Sequence, residues 1–252
     1  MVDKHIPNDT LLYLNNVTVS FDGFRALNEL SFMVREKELS AIIGPNGAGK
    51  STMMDVVTGK TRPDSGEVFF RGNVDLTRYD ETDVANMGIG RKFQKPSVIE
   101  SLTVWENLEL AMTGRRTPFA AMFGALSAKG ARRIDEVMAL IRLSDRKGWL
   151  GASLSHGQKQ WLEIGMLLLQ EPELLLVDEP AAGMTDEETF RTADLLKDLA
   201  RERSVVVVEH DMAFIRALEC PVMVLHEGSV LASGSLDHVQ QNQKVIDVYL
   251  GR

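Results

Sequence analysis

The segment GPNGAGKS, Gly44 to Ser51, has the residue types and the spacing of a loop that binds phosphate. It fits the pattern glycine, four residues, Gly-Lys-Ser, and it lies between a continuous apolar run and a stretch with helical character. In such loops the glycines let backbone amides close on phosphate oxygens, the lysine reaches the β and γ phosphates, and the serine hydroxyl binds Mg²⁺. The segment therefore predicts a nucleotide site, with Ser51 on the metal, made by Gly44, Pro45, Asn46, Gly47, Ala48, Gly49, Lys50, Ser51 and Thr52.

Two further apolar runs end in side chains that suit phosphate chemistry. In LLLVDEP the acids Asp178 and Glu179 follow an apolar strand, and in VVVVEHD His210 does the same. Alone, an Asp-Glu pair is typical of a solvated strand end, and a lone histidine of a buried and hydrogen-bonded one. Ligands of open α/β sheets, however, bind at the carboxyl ends of strands. Together with the phosphate loop, the runs predict that Asp178 holds Mg²⁺ through water, Glu179 is the general base and His210 donates to the γ-phosphate.

The stretch LSHGQ, residues 154–158, allows two interpretations. Ser155 beside His156 could be a nucleophile and its base, but sequence neighbours point in different directions on a helix. Ser155 followed by Gln158 and an amphipathic run is instead typical of a capping box at a helix start. Because a helix N-terminus has free amides that bind anions, the stretch predicts an anion site without indicating whose anion it takes.

The elements around these motifs predict an α/β chain. Up to about residue 80, short runs such as LYLNNVTVSF, LNELSFMV and GEVFFRGNVDL are separated by turn residues, which predicts strands. LSAIIG at 39–44 predicts a buried strand, and KSTMMDVVTG predicts a helix that ends at Gly59. From about 98 to 169 the period is helical, clearest in TVWENLELAM and RRIDEVMALIRL, with a loop or weak helix at 113–130 between them. The two later strands flank the helical run DEETFRTADLLKDLARE, and this alternation indicates a parallel sheet with crossover helices.

Composition limits the class of protein. With 252 residues, of which 44% are hydrophobic, the chain can bury a core as one large domain or as a domain with a smaller lobe. The net charge of -8 argues against nucleic acid as a partner, because phosphate neutralisation needs clustered lysine and arginine. The single cysteine, Cys220, cannot form an internal disulfide and the first residues lack the apolar core of a signal peptide, so we expect a reducing cytoplasm. The apolar runs are far shorter than the roughly 20 residues that span a bilayer, so a membrane role requires a partner.

The ordered set GPNGAGKST, the glutamine of RKFQKP, LSHGQ, LLLVDEP and VVVVEHD resembles the ATP-binding subunits of ABC transporters over nearly the whole chain. The resemblance implies an α/β fold: a P-loop NTPase (ABC ATPase) core with an antiparallel β layer and an inserted α-helical subdomain. Within a single domain, 1–252, residues 1–94 and 165–252 would form the nucleotide-binding core and 95–164 the helical signature subdomain. IGRKFQKPSVIESLTVWENLEL and EPAAGMTDEE look like the branch that serves branched-chain amino acids and related solutes, and within it most like the ATPase subunits of urea importers.

The resemblance gives further residues a role. Gln94 would bind the metal, take part in catalysis and link the nucleotide site to the helical lobe, and Phe21 would stack on adenine. The γ-phosphate of ATP held by the other subunit of a head-to-tail dimer would be bound by Ser155, His156, Gly157 and Gln158. Two positions depart from the common pattern of the family. His156 replaces a glycine, and AAGMT replaces Ser-Ala-Leu-Asp, so that Thr185 stands where that aspartate would be.

The resemblance also implies cofactors and partners. ATP with Mg²⁺ would close a dimer of identical or homologous ATPase subunits, and hydrolysis would reopen it. Separate permease subunits would dock near Gln94, a solute-binding protein would take part indirectly, and the chain would lie at the cytoplasmic face of the membrane. Two alternatives stay open: a soluble ABC-type ATPase acting on nucleic acid or ribosomes, which the acidic charge disfavours, and a regulatory module without turnover, which Glu179 disfavours.

Overall fold

Two β-sheets with flanking helices make up the structure. The computed structural model describes residues 7–92, 97–113 and 127–250. In these ranges the strands are β1 Thr10–Phe21, β2 Phe24–Arg35, β3 Leu39–Ile43, β4 Ser65–Phe70, β5 Val74–Asp75, β6 Ile89–Lys92, β7 Leu174–Asp178, β8 Ser204–Val208, β9 Val222–His226 and β10 Ser229–Gly234. The helices are α1 Lys50–Val57, α2 Glu81–Asn86, α3 Val104–Thr113, α4 Ala128–Leu140, α5 His156–Leu168, α6 Asp186–Ala200, α7 Met212–Leu218, α8 Leu236–Gln240 and α9 Gln243–Leu250.

The larger sheet has the strand order β10-β9-β3-β8-β7-β6. Its strands run parallel except β10, which pairs antiparallel with β9 at the edge. Every residue of β7 and β8 is buried, as expected for strands that are covered on both faces. The register aligns Ile42 with Val208 and Asp178 with Val208, so the carboxyl ends of β3, β8 and β7 lie side by side. The predicted phosphate loop follows β3, and the predicted acidic residues lie at the end of β7.

The smaller sheet is an antiparallel layer with the order β2-β1-β4-β5. Its inner side chains, such as Leu12 and Phe70, share one apolar cluster with Met53 of α1 and with Ile42 and Val206 of the larger sheet. Alternate residues of β3 and β8 point the other way, into a second cluster with α5, α6 and α7. The larger sheet is therefore covered by the antiparallel layer on one face and by helices on the other. The predicted α/β fold class is confirmed.

The helices between β6 and β7 pack around a shared apolar seam. Leu108 of α3, Ile134 of α4 and Leu162 of α5 are buried in the same cluster. α5 runs without a break from His156 to Leu168, so the boundary that the sequence predicts between residues 164 and 165 falls inside this helix. The division of the chain into a core and a helical subdomain stays a prediction.

Several element boundaries differ from the sequence-based expectation for local reasons. GEVFFRGNVDL forms two short strands because Arg71 and Gly72, with φ of 51° and 72°, make a turn within it. α4 begins at Ala128, earlier than the RRIDEVMALIRL run, because Ser127 caps it by accepting a hydrogen bond from the Gly130 amide. Most of the predicted loop or weak helix at 113–130 lies outside the described residues. In the described ranges, no helix is both long and apolar enough to cross a membrane.

The turn between β9 and β10 braces the predicted phosphate loop. The Gly228 amide donates to the Ala48 carbonyl (3.0 Å), and the Asn28 amide of β2 donates to the Gly228 carbonyl (2.9 Å). Gly228 has a φ of 75°, and a methyl group there would lie 2.7 Å from Leu27 Cα. The loop, the turn and β2 therefore approach each other at a point that admits no side chain.

We expect Gly228→Ala to lower the free energy of unfolding more than Gly72→Ala. Gly72 has almost the same φ, 72°, but nothing lies within 4 Å of an added methyl group. The Gly72 variant should cost about 1 kcal/mol for the left-handed backbone alone. The Gly228 variant should cost about 1–3 kcal/mol more, because backbone atoms must move apart. Denaturant unfolding of both variants measures the difference, and equal losses would contradict a close approach at Gly228.

Candidate nucleotide-binding site

The predicted phosphate loop joins the end of β3 to the start of α1. Gly49, just before the helix, has a φ of 101°, and a methyl group there would lie 2.5 Å from the Ala26 carbonyl oxygen. The position therefore requires glycine for its backbone conformation and for its close contact with β2. α1 begins at Lys50, and its N-cap residue Gly49 has no side chain that could take the place of a ligand at the first amides.

A cavity of about 340 Å³ opens over this loop. Its lining combines two aromatic rings, the loop and α1 start, and the acids at the end of β7: Phe21, Phe24, Ala26, Asn46, Gly47, Ala48, Gly49, Lys50, Ser51, Thr52, Asp178 and Glu179. The rings of Phe21 and Phe24 are 50% and 62% exposed, so they face the opening instead of the core. Sequence reasoning missed Phe24, although the spacing FDGF across a tight turn between β1 and β2 places it opposite Phe21. The cavity can hold a flat apolar group at one end and an anion at the other.

Lys50 turns back on the loop. Its Nζ donates to the carbonyl oxygens of Gly44 (2.7 Å) and Pro45 (3.0 Å). Burial lowers the pKa of Lys50, and the nearby carboxylates of Glu179, Asp178 and Glu209 oppose this shift. A phosphate would bring negative charge to a partly desolvated ammonium group whose partners in the loop are neutral carbonyls. The residues therefore fit a bound polyphosphate.

Asp178 is buried at the end of β7 and faces a basic side chain that sequence reasoning missed. Burial raises the pKa of Asp178, and Arg91 of β6 opposes that rise from 3.4 Å. Arg91 also pairs with Asp55 of α1. Because one guanidinium contacts both acids, it fixes the end of β7 relative to the helix that follows the phosphate loop. An arginine at the end of a short strand carries no sequence signal for such a pair.

Glu179 continues the ladder of the sheet and then turns the chain. Its amide donates to the Val208 carbonyl (2.9 Å), and its φ of 46° is uncommon for a residue with a side chain. His210 Nδ1 lies 3.7 Å from Glu179 Oε1 and 3.5 Å from Glu209 Oε2. The structure thus brings the predicted base and the predicted histidine together.

Glu209 anchors the ends of β7 and β8, and sequence reasoning gave it no role. Its side chain is buried and accepts hydrogen bonds from the amides of Ala181 (3.0 Å), His210 (2.7 Å) and Asp211 (3.2 Å). The carboxylate is satisfied by backbone donors on both sides of the edge, so it fixes the two segments relative to each other. The signal was a charged residue at the end of an apolar run, directly before His210.

The stretch LSHGQ forms a helix start with a capping box, as predicted. Ser155 Oγ accepts from the Gln158 amide (3.2 Å), and Gln158 Oε1 accepts from the Ser155 amide (3.0 Å). Ser155 Oγ donates to Glu188 Oε1 (2.6 Å), whereas His156 Nε2 lies 3.2 Å from Gln160 Nε2. The two side chains have different partners, which does not favour a nucleophile and base pair.

The two departures from the common family pattern lie at one contact. The ring of His156 lies beside Gly183 of AAGMT, where an added methyl group would be 3.4 Å from His156 Cδ2. Thr185 is the cap of α6 and forms a second capping box with Glu188. The segment that follows Glu179 therefore touches LSHGQ, residues 154–158, which we call the signature stretch, in its own chain.

The predicted metal ligands are only partly described. Ser51 and Asp178 line the same cavity, whereas Gln94 lies outside the described residues, so its predicted catalytic and metal-binding roles stay predictions. Among the described residues, no group of three or more His, Cys, Asp or Glu side chains is arranged to hold a metal. One hydroxyl and one carboxylate suit Mg²⁺, which usually binds through one or two protein ligands together with phosphates and water.

Comparisons with known proteins agree with this geometry. The family model described as ABC transporter matches residues 27–182. The high-affinity branched-chain amino acid transport ATP-binding protein LivG of Salmonella typhimurium is 32% identical over an alignment of 252 positions, which covers 96% of this chain and 98% of LivG. An ATP-binding cassette of an ABC transporter, solved in its ADP conformation, has a TM-score of 0.85 and 27% identity over 96% of this chain and 99% of its own. A dimeric cassette in a post-hydrolysis state, bound to ADP and phosphate, has a TM-score of 0.74 and 28% identity over 90% of this chain and 99% of its own.

These relatives bear on the whole chain. The family match covers more than half of it, and LivG matches nearly all of it. The α/β fold class and the ATPase activity predicted from the motifs agree with the family match and with the cassette solved in its ADP conformation. The chain belongs to the ABC transporter family, as an ATP-binding and ATP-hydrolysing subunit.

Proposed function

We propose that this chain powers the import of a small polar solute as one half of a dimer with two composite ATP sites. The observation that carries the proposal is the separation of the predicted motifs within one chain. Lys50, Ser51, Asp178 and Glu179 line one cavity, and residues 155–158 are not among the described residues that line it. Two chains that face each other head to tail would each complete the other's site about a two-fold axis.

Within a composite site the chain's own residues have separate tasks. The amides of the loop and Lys50 would bind the phosphates, while Phe21 would stack on adenine. Glu179 would accept a proton from water as the water oxygen attacks the γ-phosphorus, and the electron pair of the broken phosphoanhydride bond would leave with ADP. Mg²⁺, held by Ser51, Asp178 and the predicted ligand Gln94 together with the phosphates, would neutralise charge on the transferred group. His210 would donate to the γ-phosphate.

The signature stretch would act on the nucleotide of the facing subunit. Its residues Ser155, His156, Gly157 and Gln158 begin a helix of 13 residues, whose N-terminal amides and dipole suit an anion. The likeness to a cassette described as dimeric supports such an assembly. The second subunit can be an identical chain or a homologous one.

The proposals for the solute and for the further partners rest on the similarity of this chain to known transporter subunits. The name of LivG indicates branched-chain amino acids for that protein, whereas the motif stretches of this chain resemble urea importers most. We propose urea or a short-chain amide as the solute, with branched-chain amino acids as the second candidate. Permease subunits would place the chain at the cytoplasmic face of the membrane, and a solute-binding protein would deliver the solute. Neither the charge nor the relatives favour action on nucleic acid or ribosomes.

Replacing Glu179 with glutamine should stop hydrolysis and keep binding. Glutamine preserves shape and hydrogen bonding but cannot accept the proton, so the rate should fall by at least about 10²-fold. The control is Glu187→Gln, which neutralises an exposed acid of α6 that pairs only locally with Arg191 in the described contacts. Phosphate release and titration with a fluorescent ATP analogue measure both properties. Wild-type turnover in the Glu179 variant would assign the base to another residue.

Two inactive variants should restore activity when they are mixed. Lys50→Ala removes a ligand of the chain's own nucleotide, and Ser155→Arg adds bulk and charge at the signature. A mixed dimer has one complete site, formed by the phosphate loop of the Ser155 variant and the signature of the Lys50 variant. We expect partial recovery of ATPase activity in differentially tagged mixed dimers.

This mixing test requires folded variants, because Ser155 is also a helix cap and its loss costs about 1 kcal/mol. Thermal unfolding of each variant therefore comes first. Background activity in mixed dimers that bind ATP and close on it would show that one site cannot turn over alone. Full activity of Ser155→Arg by itself would refute action on the facing subunit.

Uptake measurements separate the two candidate solutes. In cells that express the complete transporter, labelled urea should accumulate with the wild-type chain and not with Glu179→Gln, because transport requires turnover. The Glu187→Gln chain, present at the same level, should support normal uptake. Accumulation of labelled leucine, without urea, under the same control would assign the transporter to branched-chain amino acids.

A further inference from the structure

We propose that the Glu188 carboxylate holds the hydroxyl of Ser155, the serine of the signature stretch, in its own chain. This hydrogen bond must break before the dimer closes on ATP. Glu188 would thereby set the ATP concentration that closure requires. The inference rests on the proposed function, in which Ser155 binds the γ-phosphate held by the facing subunit.

The carboxylate of Glu188 lies against the first residues of the signature helix. Its Oε1 accepts from Ser155 Oγ (2.6 Å), while its Oε2 accepts from the Thr185 amide (3.1 Å) and hydroxyl (3.2 Å). A methyl group on Gly157 would lie 2.6 Å from Glu188 Cδ, so the carboxylate fills the space beside that residue. An anion of the same chain is therefore seated where the proposed function places a phosphate.

Glu188 carries its negative charge at neutral pH. The hydrogen bond from Ser155 lowers the pKa of Glu188 most, and it outweighs the opposing effect of burial. The bonds from Thr185 and the nearby His156 act in the same direction. Because both bonded groups are donors, the carboxylate is held as an acceptor in this arrangement.

Ser155 can donate a hydrogen bond either to the Glu188 carboxylate or to a phosphate, but not to both. A serine hydroxyl has one hydrogen. Ser155 Oγ accepts from the Gln158 amide as part of the cap and donates its hydrogen to Glu188. A phosphate oxygen could receive that hydrogen only after the bond to Glu188 breaks, and it would otherwise approach a negative carboxylate. Closure on ATP must therefore displace this side chain.

The position of Glu188 links the signature to the catalytic strand end of the same chain. Glu179 ends the ladder of β7, and the segment from there to α6 carries Gly183 beside His156 and Thr185 as the cap of α6. A displacement of Glu188 from Ser155 leaves its second oxygen free to keep the cap with Thr185. The side chain can thus exchange partners without unwinding the helix.

The test uses the non-hydrolysing Glu179→Gln chain, because its ATP-bound dimer should persist. Analytical ultracentrifugation gives the ATP concentration at which half of the chain is dimeric. Adding Glu188→Gln should lower that concentration by about tenfold, since a charge-assisted hydrogen bond no longer has to be broken. Glutamine is accepted at this position of a capping box, so α6 should keep its start. The control is Asp186→Asn in the same turn, which should leave the concentration unchanged.

A second variant keeps the test valid if the glutamine chain does not fold. Glu188→Asp retains the charge but shortens the side chain by one methylene group, which separates it from Ser155, and it should also lower the ATP requirement. An unchanged or raised requirement in a folded variant, with a working Glu179→Gln background, would refute the inference alone. If the Glu179→Gln background binds ATP but dimerises neither with itself nor with a homologous ATPase subunit of the same transporter, the proposed trans site is wrong, and this inference is wrong with it.

Discussion

The parallel pairing of β3, β8 and β7 is the constraint on which the rest of the site depends. The pairing continues past the strands: the Glu179 amide donates to Val208, and the Glu209 amide donates to Ile42 (3.1 Å). The residues that follow the strands are thus placed by the same ladder that builds the core. A register shift of one residue would turn every side chain of a strand to the other face. Such a shift in β7 would turn Asp178 away from Arg91, with which it pairs.

Charge near this edge is stabilised by ion pairs or by backbone hydrogen bonds. Burying an ion is costly unless such partners stabilise it. Arg91 contacts Asp55 and Asp178, and Glu209 receives three backbone amides. Lys50 differs from these groups. Its ammonium group donates hydrogen bonds to carbonyl oxygens of the loop, while Glu179, Asp178 and Glu209 act on it only through their charge. Among the described residues Lys50 has no ion pair that a polyphosphate would first have to break.

The sequence predicted those parts of the fold and site that depend on local chemistry. Gly49 and Lys50 mark the phosphate loop because the backbone conformation and the ligand both act at that place in the chain. The capping box of Ser155 and Gln158 was predictable for the same reason, since both partners lie within one turn. Arg91 was not predictable, because its partners Asp55 and Asp178 are 36 and 87 residues away. Such pairs become visible only when the topology of the sheet is known.

The signature helix α5 connects regions that the sequence treats separately. At its start Ser155 contacts Glu188 of α6, and nearly two turns later Trp161 Nε1 donates to Thr192 of α6 (2.8 Å). Further along, Glu163 lies 3.6 Å from Lys92 Nζ and also accepts from the Ser97 amide. Lys92 and Ser97 border the segment that contains the predicted Gln94. Ser155 and Glu163 are about two turns apart on one continuous helix. A single helix thus joins the proposed γ-phosphate contact to both ends of the segment in which a permease contact is proposed.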